Sequence, residues 1–322
     1  MLNRDRPQPS PAKEGMALTL RVRSADGRRW LAVSQRGKIN GGSPVFLLHG
    51  TPGSRVDLRP RQGLLYRLGV RLITYDRPGY GDSDRHVGRR VGDVAADVEA
   101  IADSLGLKRF AVVGRSGGGP HALACAASLP ERVTRAAVLV SLAPPEAEGL
   151  DWFEGMTPDN IASYMTAMQG RARLAARLGP RAESIKHDPA RLLNSLYESL
   201  TEADRQIVRD LYIRTKMVES YAVALSRSPD GWIDDAMALC SPWGFDPAHI
   251  QVPTLLWHGE DDVFSPVGHS RWLAARIPRA KVAVQRGAAH FHALQVLPDL
   301  LPWLIGTAES PPITRAAVRG LG

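Results

Sequence analysis

Short apolar runs alternate with amphipathic stretches along most of this chain. Residues 18–22 and 30–34, joined across Ala25-Asp26-Gly27, read as an antiparallel strand pair; 45–48, 72–75, 110–113 and 136–140 are short, largely apolar runs of the kind buried on both faces of a sheet. Between them, 56–68, 91–105 and 120–129 carry apolar residues at helical spacing. After Val140 the strand signals stop and helices are predicted over 160–168 and 190–200, then over a long segment that opens at Thr201-Glu-Ala-Asp204 like a capping box and runs to about Ser226. Strands return at 254–257 and 281–284, with helices over 270–277 and 294–305. This alternation predicts an α/β domain with a mostly parallel sheet covered on both faces, its core formed by 17–143 and 247–305. Residues 144–246 form an all-helical insertion, and 1–16 and 306–322 are polar tails.

Composition narrows the class. The formal charge is +8, with arginine supplying 35 of the 41 basic residues, but they are scattered rather than blocked or interleaved with aromatics. An arginine-rich solvated surface explains them, so no nucleic-acid partner is expected. The insertion runs the other way, with 11 Lys plus Arg against 16 Asp plus Glu. Cys125 and Cys240 lie far apart without metal-ligand spacing, so neither a disulfide framework nor a zinc site is expected. The first 16 residues lack the apolar stretch of a secretory signal, and no later run is long enough to span a membrane. The expectation is a cytoplasmic protein without a membrane partner, metal or cofactor.

The candidate chemistry starts at Gly114-Arg-Ser116-Gly-Gly118, which follows one strand run and opens a helix. A strand turning directly into a helix brings two backbones together, which favours glycine on either side of Ser116 and lifts its hydroxyl above the helix N-terminus. A serine needs a base to take its proton, and the base needs a carboxylate to orient it. Both follow downstream. Gly259-Glu-Asp-Asp262 lies after the seventh strand run, and Gly287-Ala-Ala-His290-Phe-His292 after the eighth, where an α/β sheet gathers its functional groups.

Asp262 is preferred to Asp261 because Val263 and Phe264 behind it re-enter the core. His290, three residues after Gly287, is preferred to His292; a metal-binding His-x-His has no further ligand cluster to support it. His121 and His258 are read as packing residues. The glycine-rich turn His49-Gly50-Thr51-Pro52-Gly53 sits beside the serine, and since Pro52 has no N–H, the backbone N–H of Thr51 and that of Gly117 are the candidate donors to a developing oxyanion.

Together with Asp76-Arg-Pro-Gly-Tyr-Gly-Asp-Ser83, these motifs, in this order, resemble the α/β-hydrolase superfamily over about residues 18–305. The resemblance implies an eight-stranded, mostly parallel sheet, a helical cap after the sixth strand, and a triad of Ser116, Asp262 and His290 acting on a small ester or amide. The chain looks most like the proline iminopeptidase and esterase branch, although those peptidases commonly carry Trp where Gly117 stands. Serine hydrolase is therefore the reading, with an aminopeptidase as one alternative and a perhydrolase, C–C bond hydrolase or triad-retaining small-ligand receptor as another. Trp152, Phe153 and Glu154, in an acidic stretch of the insertion, are candidate substrate-binding residues, and Met156, Tyr164, Met165 and Met168 could extend an apolar acyl pocket.

Overall fold

A computed structural model describes residues 18–310, so the expected N-terminal tail and all but the first residues of the C-terminal one lie outside it. Eight strands form one sheet: β1 (Leu18–Arg23), β2 (Trp30–Gly37), β3 (Ser43–Leu48), β4 (Val70–Tyr75), β5 (Phe110–Arg115), β6 (Val133–Leu139), β7 (Thr254–Gly259) and β8 (Ala280–Gln285). Their order is β1-β2-β4-β3-β5-β6-β7-β8, with β2 antiparallel to both β1 and β4 and every other pair parallel. All eight coincide with the apolar runs. The central β5 and β7 are buried at each position, as runs without polar alternation require.

The chain winds outward in both directions from the β3–β5 pair, where Leu48 stands opposite Gly114. The loops leaving these two strands therefore open side by side at their carboxyl ends, the crevice in which doubly wound sheets bind ligands. Helices α1 (Gln62–Arg67), α2 (Val94–Ser104) and α3 (Gly118–Ser128) lie in the first part of the chain. Between β6 and β7 come six more: α4 (Pro158–Met168), α5 (Arg171–His187), α6 (Ala190–Leu196), α7 (Glu202–Arg209), α8 (Leu211–Ala224) and α9 (Asp230–Leu239). The last two are α10 (Gly268–Ala274) and α11 (Ala293–Leu304).

Phe46 and Leu48 pack on one face of the sheet against α3, while Val45 and Leu47 pack on the other against α11, the two-residue period of a strand. The insertion has its own apolar cluster, including Leu174, Leu178, Leu193, Val208 and Met217, and it reaches the sheet loops through Phe264 and Phe291. No described helix is long and apolar enough to cross a membrane.

Two predicted helices are shorter than expected. The stretch 56–61 is a turn, because Arg55 and Asp57 are spent on holding Asp76 and Arg115, and Pro60 disfavours a helical residue before it. The long helix from Thr201 breaks at Asp210, which is extended and uses its carboxylate to cap the Ile213 N–H at 3.0 Å. Helices α5 and α9 were not anticipated as separate elements; Pro180 lies inside α5, against the usual helix-breaking effect of proline, and Pro229 directly precedes α9.

Candidate active site

Ser116 occupies the turn between β5 and α3 with φ +51°, the left-handed region that a side chain rarely adopts. Its N–H donates to Leu139 O and its carbonyl accepts from Gly119 N–H, both at 2.8 Å, so the surrounding backbone fixes the conformation. A Cβ at Gly114 would collide with the Gly118 carbonyl, and one at Gly118 with the carbonyls of Leu48 and His49. Those two positions are glycine because β3, β5 and α3 touch through bare backbone.

The loops after β7 and β8 bring an acid and an imidazole together. Asp262 Oδ1 accepts the N–H groups of Phe264 and Ser265 at 2.8 and 3.0 Å, and Oδ2 accepts from His290 Nδ1 at 2.8 Å. Burial opposes ionisation of this carboxyl, but His290 and His258 outweigh it and hold its pKa well below the ordinary range. For His290 burial likewise opposes the charged form, while Asp262, and after it Asp204, raise the pKa above the usual histidine value. Asp261 is exposed, and His292 Nδ1 is occupied by the Ala289 N–H at 3.2 Å. His258, expected only to pack, lies 3.3 Å from Asp262 Oδ2 and is fixed by Ser270 Oγ and Ser265 O.

Ser116 and His290 line one cavity of about 860 Å³, counted with its open mouth, and both also line a second, smaller recess. Thr51, Pro52, Tyr221 and Phe291 are common to the two, so the serine stands at a junction with space on either side. No hydrogen bond joins Ser116 Oγ to His290 among the described residues. Such contacts are often loose before substrate arrives.

The Thr51 and Gly117 N–H groups make no hydrogen bond within the described residues, which leaves both for a ligand. A Cβ at Gly117 would strike Thr51 Oγ1, which is why a larger residue cannot stand there. The turn carrying Thr51 is held from behind. Asp235 of α9, fully buried, accepts Thr51 Oγ1 at 2.6 Å, Tyr80 OH at 2.9 Å and the guanidiniums of Arg77 and Arg89. Arg77 also donates to the His49 and Gly50 carbonyls. Burial penalises the Asp235 charge, yet the two arginines hold its pKa well below the ordinary value. Burial pushes His121, whose Nδ1 meets Gly117 O at 2.7 Å, down to about 3, so this imidazole is neutral.

Two of these carboxylates were missed in the sequence. Asp235 announces itself only as an acid within the apolar stretch Trp-Ile-Asp-Asp-Ala-Met of a helix not anticipated. Asp204 sits in the capping-box signal and was read as a helix start; its Oδ1 accepts the Phe291 N–H at 2.7 Å, directly behind His290, and burial raises its pKa to about 6.

The expected substrate-binding residues lie elsewhere. Trp152 is buried, donates its indole N–H to Ala143 O at 2.9 Å and packs edge-on against His269, Phe153 and Tyr164, while Glu154 is exposed. None of Trp152, Phe153 and Glu154 lines either recess, and of the other apolar candidates only Tyr164 does, with Met165 and Met168 half exposed. The helical wall of the larger recess comes instead from α4, α5, α6, α8 and α9, and that of the smaller one from α8, with Ala293 and Leu294 of α11. No group of three or more His, Cys, Asp or Glu side chains suited to a metal occurs among the described residues.

The chain is similar to 2-hydroxy-6-oxononadienedioate/2-hydroxy-6-oxononatrienedioate hydrolase 2 of Pseudomonas putida, with 27% identity over 78% of this chain and 82% of that one. It is also 27% identical to proline iminopeptidase of Xylella fastidiosa, covering 77% of this chain and 83% of the relative. The crystal structure of bromoperoxidase from Bacillus anthracis superposes with a TM-score of 0.65 at 22% identity, over 87% of this chain and 96% of that one, a likeness of fold. The family described as alpha/beta hydrolase fold matches residues 43–295, which include the serine turn, both downstream loops and the intervening helices; the chain belongs to that family.

Proposed function

We propose that this protein is a serine hydrolase that cleaves a small carboxylic ester through an acyl-enzyme. The observation that carries this reading is the His290–Asp262 pair at 2.8 Å, opening onto the cavity that Ser116 also lines. With Nδ1–H donated to Asp262, the His290 Nε2 lone pair is left for the Ser116 proton. Ser116 Oγ attacks the ester carbonyl as Nε2 takes its proton, and the N–H groups of Thr51 and Gly117 receive the oxyanion. His290 then returns the proton to the departing alcohol. Water repeats the sequence on the acyl-enzyme, and Ser116 is regenerated with release of the acid. The two recesses meeting at Ser116 suit the two arms of an ester, and residues 144–246 act as the cap that supplies most of the wall of the larger one, while the smaller is lined mainly by the sheet loops.

An ester is favoured over the amino-terminal amide of a peptide by the charges present. Holding a substrate ammonium calls for a free carboxylate. Among the described residues each recess has one carboxylate and neither is free: both oxygens of Asp159 in the larger are engaged by arginines, and those of Asp57 in the smaller by Arg115 and the Leu58 N–H. The deciding experiment compares 4-nitrophenyl esters of short acids with amino-acid 4-nitroanilides, without added peroxide. Ester turnover that disappears in Ser116→Ala, by a factor on the order of 10⁶ for a lost nucleophile, supports the reading. Turnover of anilides alone, or ester turnover surviving in Ser116→Ala, contradicts it.

A further inference from the structure

The larger recess is apolar over most of its wall, where Leu142, Leu178, Leu192, Leu196, Trp232 and Phe264 meet, and charged at one place. There Arg181 of α5 projects between α4 and α6. Its Nη1 pairs with Asp159 Oδ2 at 2.6 Å, its Nη2 donates to Ser195 Oγ at 3.1 Å, and its guanidinium lies over the Trp232 ring at 5.6 Å. Asp159 Oδ1 is taken by Arg177 Nη2 at 2.8 Å. Burial works against the Asp159 charge, but Arg181 and Arg177 keep its pKa below the ordinary value, so this carboxylate stays ionised.

Two guanidiniums thus share one carboxylate, which leaves a surplus positive charge at this end of the recess. One arginine would have sufficed to neutralise Asp159. Arg181 is a quarter exposed, and its Nε–H makes no hydrogen bond among the described residues, so donors remain for a ligand. The stacked Trp232 and the Asp159 and Ser195 contacts fix the plane of the fork, which lowers the conformational entropy lost when it binds a second anion. Apolar walls weaken the competition from water.

We propose that Arg181 is a specificity-determining residue that receives a carboxylate on the substrate arm occupying this recess, so that the preferred substrates are half-esters of dicarboxylic acids or esters of hydroxy acids. The proposal rests on the serine-hydrolase reading, with the ester carbonyl at Ser116 and the free carboxylate at Arg181. An ammonium-bearing arm fits poorly, because the surplus charge has the wrong sign and Asp159 has no free oxygen.

The test compares pairs of esters that differ only in a terminal carboxylate. On the acyl side these are the 4-nitrophenyl monoesters of succinic, glutaric and adipic acids against the 4-nitrophenyl esters of the matching neutral acids; on the alcohol side, butyrate esters of 4-hydroxybenzoate against those of its methyl ester. The kcat/KM ratio within each pair is measured in the wild type, Arg181→Gln and Arg181→Lys. The ratio should favour the carboxylate by about 10- to 100-fold on one side, the scale of a charge-assisted hydrogen bond. It should collapse toward one in Arg181→Gln and recover in part in Arg181→Lys; the side showing it assigns the recess to the acyl or the alcohol arm.

A ratio near one in the wild type, or one that persists in Arg181→Gln, overturns the carboxylate subsite while leaving Ser116-dependent hydrolysis standing. If no ester is turned over, calorimetric titration of glutarate into Ser116→Ala and into Ser116→Ala/Arg181→Gln still decides. Binding lost with Arg181 supports the subsite though the hydrolase reading has failed, and absent or equal binding overturns it. Matching circular dichroism spectra of the two variants, with partial recovery of binding in Ser116→Ala/Arg181→Lys, exclude a mere folding defect.

Discussion

Asp235 Oδ2 receives the Thr51 hydroxyl at 2.6 Å, so a helix of the insertion fastens the turn whose Thr51 lines the Ser116 cavity. This contact ties the position of one proposed oxyanion donor to α9 rather than to the sheet alone. Behind it lie two buried guanidiniums, from Arg77 and Arg89, which depend on the same carboxylate.

Removing the two parts of this arrangement should have different effects. Thr51→Val deletes only the hydroxyl and leaves Asp235 with its arginines, so folding should hold while kcat falls by roughly 10- to 100-fold, the scale of a misplaced catalytic group. Asp235→Asn leaves two buried cations without a counter-charge and should cost about 3–5 kcal/mol in urea unfolding. Full kcat in Thr51→Val would show that the contact does not position the turn.

Backbone strain at the serine predicts an ordering of two inactive variants. Ser116→Ala keeps a Cβ at φ +51°, whereas Ser116→Gly does not. The glycine variant should unfold at higher denaturant and be more stable by about 1 kcal/mol, the usual cost of the left-handed region for an L-residue. Equal midpoints would mean that the turn holds no such strain.

The pH dependence follows from two carboxylates facing His290, Asp262 from the β7 loop and Asp204 from α7. Raised by them above the ordinary value of about 6.5, the imidazole is protonated, and useless as a base, at pH values where a free histidine would already be neutral. Thus kcat/KM should fall as pH drops through a limb lying above about 6.5. Asp204→Asn, which keeps an acceptor for the Phe291 N–H but removes a charge, should move that limb to lower pH; an unmoved limb would contradict the coupling.

The same variant has a stability signature of definite sign. Asp204 is a carboxyl whose folded pKa is raised by burial to about 6, above the ordinary value of 3.8. Across that interval the folded chain holds a proton that the unfolded chain has released, so its contribution is present at low pH and lost as pH rises through about 6. Unfolding free energies measured across this window should slope less steeply downward in Asp204→Asn than in the wild type.

What could be read from the sequence was what local pattern encodes. The parallel strands were visible because such strands are short apolar runs, β1 and β2 because a short turn joins an antiparallel pair, and Ser116, Asp262 and His290 because each sits just past a strand within three residues of a glycine. Asp235 was not visible, since its importance lies in contacts with Thr51, Tyr80, Arg77 and Arg89, more than 140 residues earlier in the chain. Trp152 and Phe153 were misplaced for the related reason that an aromatic pair in a helical insertion has the same local pattern whether it lines a cavity or packs behind it. The glycine at 117 did mark something real: Thr51 fills the space that a side chain there would need.

The central claim is that Ser116 is a nucleophile activated by His290. Labelling the full chain with a fluorophosphonate, followed by peptide mass spectrometry, tests it most directly. The account predicts one adduct, on the peptide containing Ser116, that is absent in Ser116→Ala and strongly slowed in His290→Ala. An adduct on another residue, or labelling of Ser116 at an undiminished rate without His290, would contradict it.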